Sequence, residues 1–414
     1  MHVVHERCCG LDVHQKSVVA CLITLDTQGK QDKQLRRFGT MTAELLALAD
    51  WLTAAGCTHV AMESTGVYWK PVFNLFEGLF TLLVVNAQHI KHLPGRKTDM
   101  RDAEWIADLL QHGLLQPSFI PSAEQRALRD FTRHRSTLVE ERARIVNRLQ
   151  KVLEDTNIKL AAVASDITGK SARMMLEALL AGERDVNRLA DLARGRMRSK
   201  RAQLEQALAG RMQPHHGFLI AEHLSHIDYL DEAIERLSGQ IAARLTECEE
   251  EIALLDTVPG LSRRSAEVLV ADAAPRAPGT DLSRFPSAAH LASWAGMCPG
   301  NHQSGGKRLS GKTRKGSRWL RQVLIEAAHA AARSKTTYLG AQYRRLAARR
   351  GTKKAIIALG HTILVMVYHV LTRREPYRDL GSNYFDEHDR QAVERRLVRR
   401  LEKLGLTVSI ERAA

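Results

Sequence analysis

The sequence predicts an α/β domain at the N-terminus followed by a largely helical remainder. Two observations predict it. Apolar runs of strand length alternate with helix-spaced patterns from residue 8 to residue 112. Beyond Pro117 and Pro121 the apolar spacing turns helical in a heavily charged background. A chain of 414 residues with 44% hydrophobic content is long enough for two or three domains with cores of their own.

In the α/β region, strands are expected over 8–13, 17–25, 34–39, 58–63 and 80–85, with helices near 42–55, 69–77 and 99–111. Asp12 lies between the apolar start Cys8-Cys9-Gly10-Leu11 and the run Ser17 to Ile23, so it reads as a carboxylate at the turn between two strands. Glu63 closes the strand His59-Val60-Ala61-Met62 and opens the turn Ser64-Thr65-Gly66. That leaves the acid at a strand's C-terminal edge, where open α/β sheets place their ligands. Asp99 and Asp102 stand three apart at the start of a helical pattern through Ala103, Ile106, Ala107, Leu109 and Leu110. This spacing puts both on one helix face. Lys97 and Arg101 interleave cations with these acids, as a phosphate-facing segment would. Magnesium takes oxygen ligands and keeps several waters, so a few carboxylates suffice to hold it in a site for phosphodiester chemistry. Taken singly, each acid reads equally as a surface, turn or helix N-terminal charge.

The next region carries Glu140-Glu141-Arg142-Ala143-Arg144 before Ile145, Leu149, Val152 and Leu153. A second long helix repeats apolar residues at Ile220, Leu224, Ile227, Leu230, Ile234, Leu237, Ile241 and Leu245. Steps of three and four are the seam of a coiled coil or long helical hairpin, or of an amphipathic helix packed within the chain. His215-His216, beside Pro214 and Gly217, reads as a break between helices rather than a metal site. Then Val258-Pro259-Gly260-Leu261 makes a tight turn before a new helix and resembles a helix-hairpin-helix, with Gly260 in a phosphate-facing turn. Ser262 stands where that motif commonly has a second glycine, and an ordinary helix connection is the alternative. The apolar stretch from Ala355 to Leu371 is shorter than the roughly 20 residues of a spanning helix and reads as a buried core helix.

A second chemical centre runs from Trp294 through Gly300-Asn301-His302-Gln303-Ser304-Gly305-Gly306. Ser304 sits in a glycine-rich loop followed by Lys307, Arg308, Lys312, Arg314, Lys315, Arg318 and Arg321. A hydroxyl, a flexible backbone and a dense cationic field are what attack on a DNA phosphate requires. Ser310, also followed by glycine, is the competing nucleophile, and a plain loop serine is the bland alternative.

The net charge of +15 and pI near 9.8 point to a polyanionic partner, nucleic acid before membrane. The N-terminus lacks a secretory pattern, so a cytoplasmic, nucleoid-associated protein is expected. Six scattered cysteines without a Cys-x-x-Cys pair read as reduced, buried thiols.

Gly10-Leu11-Asp12-Val13-His14, Glu63-Ser64-Thr65-Gly66-Val67-Tyr68 and Lys97-Thr98-Asp99-Met100-Arg101-Asp102-Ala103 resemble the three N-terminal blocks of the DEDD insertion-sequence transposases, the insertion-sequence family numbered 110. The segment around Ser304, through Gly311 to Arg321, resembles that family's C-terminal domain. Asn86-Ala87 departs from the family's usual Asn-Pro. The resemblance implies an RNase-H-like fold, similar to the Holliday-junction resolvase RuvC. It implies that Asp12, Glu63, Asp99 and Asp102 bind Mg²⁺, with Mn²⁺ as a substitute, and that Ser304 is the catalytic serine. It further implies a DNA transposase acting on donor and target DNA through a covalent phosphoserine, guided by a structured element-encoded RNA and working as a homo-oligomer, dimer or tetramer. The expected domains are a catalytic domain over 1–118, a helical or coiled-coil region over 119–250, a C-terminal transposase domain over 251–375 and a basic tail over 376–414. A metal-dependent junction resolvase, with water as nucleophile, and a non-catalytic nucleic-acid scaffold are the alternative classes.

Overall fold

In a computed structural model the described residues are 2–25, 29–64, 66–86, 99–273, 282, 285–300 and 302–409, with backbone alone at 99–101, 302–304 and 308–309. The chain divides into two compact units, Met1–Pro121 and Ser122–Ala414.

The first unit is built on a five-stranded sheet of β1 (Arg7–Val13), β2 (Ser17–Leu25), β3 (Gln31–Gly39), β4 (His59–Glu63) and β5 (Thr81–Val85). Its order is β3-β2-β1-β4-β5. The first three strands form an antiparallel meander, and β4 and β5 run parallel to β1. Helices α1 (Thr42–Ala54), α2 (Trp69–Phe76) and α3 (Asp99–Gln111) supply the crossovers and cover. Successive side chains of a strand point to opposite faces, so the near-continuous apolar runs of β1 and β4 serve two cores. On one face Cys9, Leu11, Val60 and Met62 pack with Leu45, Leu48 and Leu52 of α1 and Phe76 of α2. On the other, Cys8 and Ala61 pack against Ala103, Ile106, Ala107 and Leu110 of α3. All six cysteines are free, and burial pushes the thiols of Cys8, Cys21 and Cys57 up to about 12.

β3 starts three residues before the strand expected from the apolar pattern. It is the edge strand, and its leading Gln31-Asp32-Lys33 are exposed, which guards an open edge against pairing with another chain.

In the second unit, α4 (Ala123–Asp155) and α5 (Pro214–Arg244) run antiparallel. Arg142 bridges to Asp231 on both carboxylate oxygens, and Phe131 near the start of α4 stacks under Arg244 near the end of α5. The α5 seam is consumed within this one chain. Ile220, Leu224, Ile227 and Leu230 pack with Ile145, Leu149 and Leu153 of α4 and with Met175 and Leu176 from the short helices between Leu160 and Leu208. His215 and His216 belong to the first turn of α5 and do not themselves form the break. Pro214 occupies the first helical position, His216 closes a capping box with Gln213, and its Nε2 lies 3.0 Å from Asp155 Oδ2.

The remaining core gathers α6 (Glu249–Asp256), α7 (Arg263–Ala273), α8 (Ala288–Trp294), α9 (Arg318–Ala332), α10 (Tyr338–Arg350) and α11 (Thr352–Arg373). Helix α11 is the one helix among the described residues long and apolar enough to cross a membrane, and its Leu359, Ile363, Leu364 and Val367 are fully buried in this core. Beyond it come α12 (Tyr384–His388) and the arginine-rich α13 (Arg390–Glu402).

Helix α4 is tied to α7 by buried charges. Arg135 Nη1 lies 2.6 Å from Glu267 Oε2, both side chains about 95% buried, and Asp272 takes Arg133 at 2.9 Å and the Ser317 hydroxyl at 2.8 Å. Removing one member of a buried pair strands the other charge, which costs about 3–5 kcal/mol. Glu267→Ala should therefore lower the unfolding free energy by about that amount in a denaturant titration, and Arg135→Met combined with Glu267→Leu should recover most of it. A single substitution without measurable effect would mean Arg135 finds another partner.

Candidate functional site

The acidic centre is assembled by the sheet's two-sided pattern. Cys8 and Gly10 face α3, so Asp12, two residues further along β1, points to the same side. Asp12 lies within β1, opposite Val19, one residue before the strand ends, rather than in the turn. The parallel register of β1 and β4 aligns Leu11 with Met62, so Asp12 and Glu63 hold the next adjacent positions at the C-terminal ends of neighbouring strands. Gly10 lets α3 descend onto β1: a Cβ there would stand 2.3 Å from the Ala103 carbonyl oxygen and 2.4 Å from the Ala107 nitrogen. This close approach brings the first turn of α3, with Asp102, to the strand ends.

The electrostatics report the resulting crowding. The Asp12 carboxyl is raised above the ordinary aspartate range, chiefly by burial, with His14 opposing and the charges of Asp102 and Glu63 raising it further. His14 Nε2 lies 2.9 Å from Asp12 Oδ2. Asp12, Glu63 and Asp102 are thus within electrostatic reach of one another and half-buried. Asp99 opens the same helix three residues earlier; its side chain and that of Arg101 lie outside the described residues, as does Lys97 altogether. Oxygen-only carboxylate donors are the set a hard divalent cation takes. Among the described residues no three such side chains converge closely enough to ligate one ion together.

Ser304 ends strand β6 (His302–Ser304), which pairs antiparallel with β7 (Lys307–Ser310). The two-residue loop between them is Gly305-Gly306 at φ +55° and +74°, the paired positive values of a tight hairpin turn that glycine adopts without strain. Ser304 is therefore the residue beside the turn, paired with Lys307, while Ser310 pairs with His302 at the other end of the ribbon. The base of the ribbon is fastened by a Pro299–Thr313 bridge and a Gly300 N–H to Lys312 oxygen bond of 2.9 Å. The side chains of Ser304 and Arg308 lie outside the described residues.

The basic run after the hairpin divides in two. Arg321 donates to Thr313 Oγ1 at 2.8 Å, and Arg318 lies 3.6 Å from Glu140 and over the Trp319 ring. Lys307, Lys312, Arg314 and Lys315 are exposed and meet no carboxylate among the described residues. Gly260 forms the expected turn between α6 and α7 at φ +93°, but the Cα is pressed on α9: a Cβ would meet the Ala327 oxygen at 2.2 Å. The glycine is required by helix packing, whatever the turn's N–H groups contact.

Sequence reasoning missed His14 as a partner of Asp12, although a two-residue step at the end of a strand was the available signal. It also passed over Arg350, Lys353 and Lys354, a legible cluster around Gly351.

Two family models match the chain. Residues 9–158 match a transposase model, DEDD Tnp IS110, and residues 252–344 match the model of the IS116/IS110/IS902 transposase family. The chain is 27% identical over 327 residues to a probable family 20 transposase of Pseudomonas aeruginosa, covering 77% of this chain and 85% of that one. It is 26% identical over 330 residues to the transposase for insertion sequence element IS1111A of Coxiella burnetii, covering 78% and 79%. Over 159 residues it is 30% identical to a pilin gene-inverting protein of Moraxella bovis, 37% of this chain and 47% of that one.

Proposed function

The chain belongs to the IS110 family of transposases, and from that premise we propose that it excises and inserts its element by covalent serine chemistry assisted by the acidic centre. The observation that carries this reading is the pair of centres: carboxylates on the ends of β1, β4 and α3, and Ser304 beside a glycine turn near four exposed cations that meet no carboxylate among the described residues. The strand order β3-β2-β1-β4-β5, with acids at the C-terminal ends of the parallel β1 and β4, supports an RNase-H-like, RuvC-like assignment of the first unit. Asp12, Glu63, Asp99 and Asp102 would hold Mg²⁺, or Mn²⁺ in its place. The bound ion would neutralise charge developing on phosphate oxygens.

Ser304 Oγ loses its proton and forms a bond to a DNA phosphorus while the phosphorus–oxygen bond to the departing strand breaks. That strand leaves with a hydroxyl. Attack by the hydroxyl of a second strand expels the serine and reseals the backbone, so phosphodiester energy is conserved without ATP. Lys307, Lys312, Arg314 and Lys315 hold backbone phosphates, and base pairing by an element-encoded RNA supplies the sequence choice. The protein works as an oligomer in the cytoplasm at the nucleoid. The Moraxella relative, named for inverting a pilin gene, fits a recombination chemistry of this kind.

The test is a two-plasmid recombination assay on the natively isolated complex, with the co-purified RNA sequenced. Joined products in Mg²⁺ without ATP are expected; cut but unjoined DNA would favour a water-using resolvase. Arg314→Gln with Lys315→Gln should weaken binding to unrelated duplexes about equally and reduce the salt slope by up to roughly 0.9 per lost phosphate contact. An unchanged slope would leave these two as solvated charges.

A further inference from the structure

At the base of the Ser304 ribbon the second unit holds a cleft of about 970 Å³, of whose lining the mechanism above uses only Lys312. We propose that it receives an unpaired nucleotide of the DNA strand under attack, which rests on the serine reading of the preceding section. Its rim carries Lys312 from the ribbon base, Arg350 from the end of α10, and Lys353 and Lys354 from the first turn of α11. Among the described residues none of these four cations meets a carboxylate, and they converge on one concavity rather than spreading over a solvated face. The α11 N-terminus adds open backbone N–H groups: Gly351 offers no capping side chain, and the first turn has no acid.

The floor has the opposite character. Pro299, Ile357 and Ala358 present apolar surface suited to a base or sugar, with Met297 buried beneath them. Two polar groups stand within it. Gln342 Oε1 is buried with no donor among the described residues, while its Nε2 donates to Thr362 Oγ1 at 3.1 Å. Burial pushes the His361 imidazole below its ordinary range, so at neutral pH it offers one N–H and one lone pair. A cationic rim over an apolar floor holding an unsatisfied amide oxygen and an imidazole is the pattern of a nucleotide site, whereas a duplex held by its backbone needs no floor.

The position fits the chemistry. Ser304 lies five residues along the ribbon from Pro299, at most about 17 Å at the rise of an extended strand. At roughly 3.4 Å per nucleotide, the cleft would hold a base at most about five nucleotides from the attacked phosphate. Seating an unpaired base there would fix the register of the strand on the serine.

The full-length protein is mixed with a single-stranded oligodeoxynucleotide carrying one 5-iodouracil, with its duplex, or with an oligoribonucleotide of the same sequence. After irradiation the crosslinked peptide is mapped. The single-stranded DNA is expected to crosslink at Pro299 or within 357–362. Lys353→Gln with Lys354→Gln should remove most of that adduct and reduce the single-strand salt slope by up to about 1.4. Both lysines are exposed, so the fold should survive. Arg395→Gln with Arg396→Gln in α13 removes the same charge and should leave the cleft adduct in place. Equal loss in both double variants, equal crosslinking of duplex, preference for RNA, or adducts only elsewhere would each overturn the proposal. The readout is binding alone. Ser304→Ala should therefore retain it, and a cleft adduct in a protein that never recombines DNA would sink the serine reading while leaving the cleft assignment intact.

Discussion

Asp12→Asn should abolish strand exchange while the protein folds at least as well as the parent. The same is expected of Asp102→Asn. Loss of a proposed metal ligand should exceed the roughly 10- to 100-fold that partners of ligands typically cost, so residual recombination should fall below about 1%. Folding should not suffer, because the Asp12 carboxylate is half-buried beside two other carboxylates and its pKa is raised by burial and by their charge. The sign follows from that direction. A raised carboxyl binds its proton more tightly in the folded state, so its charged form penalises folding. The penalty is full above the folded-state pKa and vanishes below the ordinary aspartate value of about 3.9. With chelator present, Asp12→Asn should raise the unfolding midpoint at neutral pH and converge with the parent in acid. Parental recombination by either variant would remove that residue from the acidic centre, and a neutral-pH loss of stability would contradict the crowding account.

Ser304→Ala should be equally inactive and should bind DNA normally. The hairpin does not depend on the hydroxyl: its turn is set by Gly305-Gly306 and its base by Pro299, Gly300, Lys312 and Thr313. The cations that would hold phosphate are untouched. A variant that keeps the parent's affinity and salt slope but loses all joining separates chemistry from binding. Retained joining would move the nucleophile to Ser310, whereas cleavage without joining would favour water.

Much of the first unit was legible because β1, β2, β4 and β5 have apolar runs bounded by turn residues. The start of β3 was not, since an exposed edge strand carries no apolar signal over Gln31-Asp32-Lys33. The candidate acids could be placed at strand and helix ends from spacing alone. What brings them near one another is the missing side chain of Gly10, whose meaning depends on a helix about 90 residues away and cannot be read locally. The α5 repeat announced a buried stripe without saying what would cover it, and the structure supplies α4 and the short helices of the same chain. Glu267 and Asp272 looked like ordinary helix charges, because ion pairing across long sequence separations leaves no periodic trace. The basic cluster around Gly351 went unread because its charges alone do not mark a site, and the concavity arises only when α10 and α11 meet the ribbon base.

Covalent capture tests the central claim most directly. The native complex is incubated with Mg²⁺ and its cognate DNA, denatured in SDS, digested with protease, and the DNA ends are examined for an attached peptide. The account predicts a strand tagged with the peptide containing Ser304, lost in Ser304→Ala and kept in Ser310→Ala. Cleaved DNA with free ends and no peptide, or an adduct that survives in Ser304→Ala and disappears in Ser310→Ala, would contradict it.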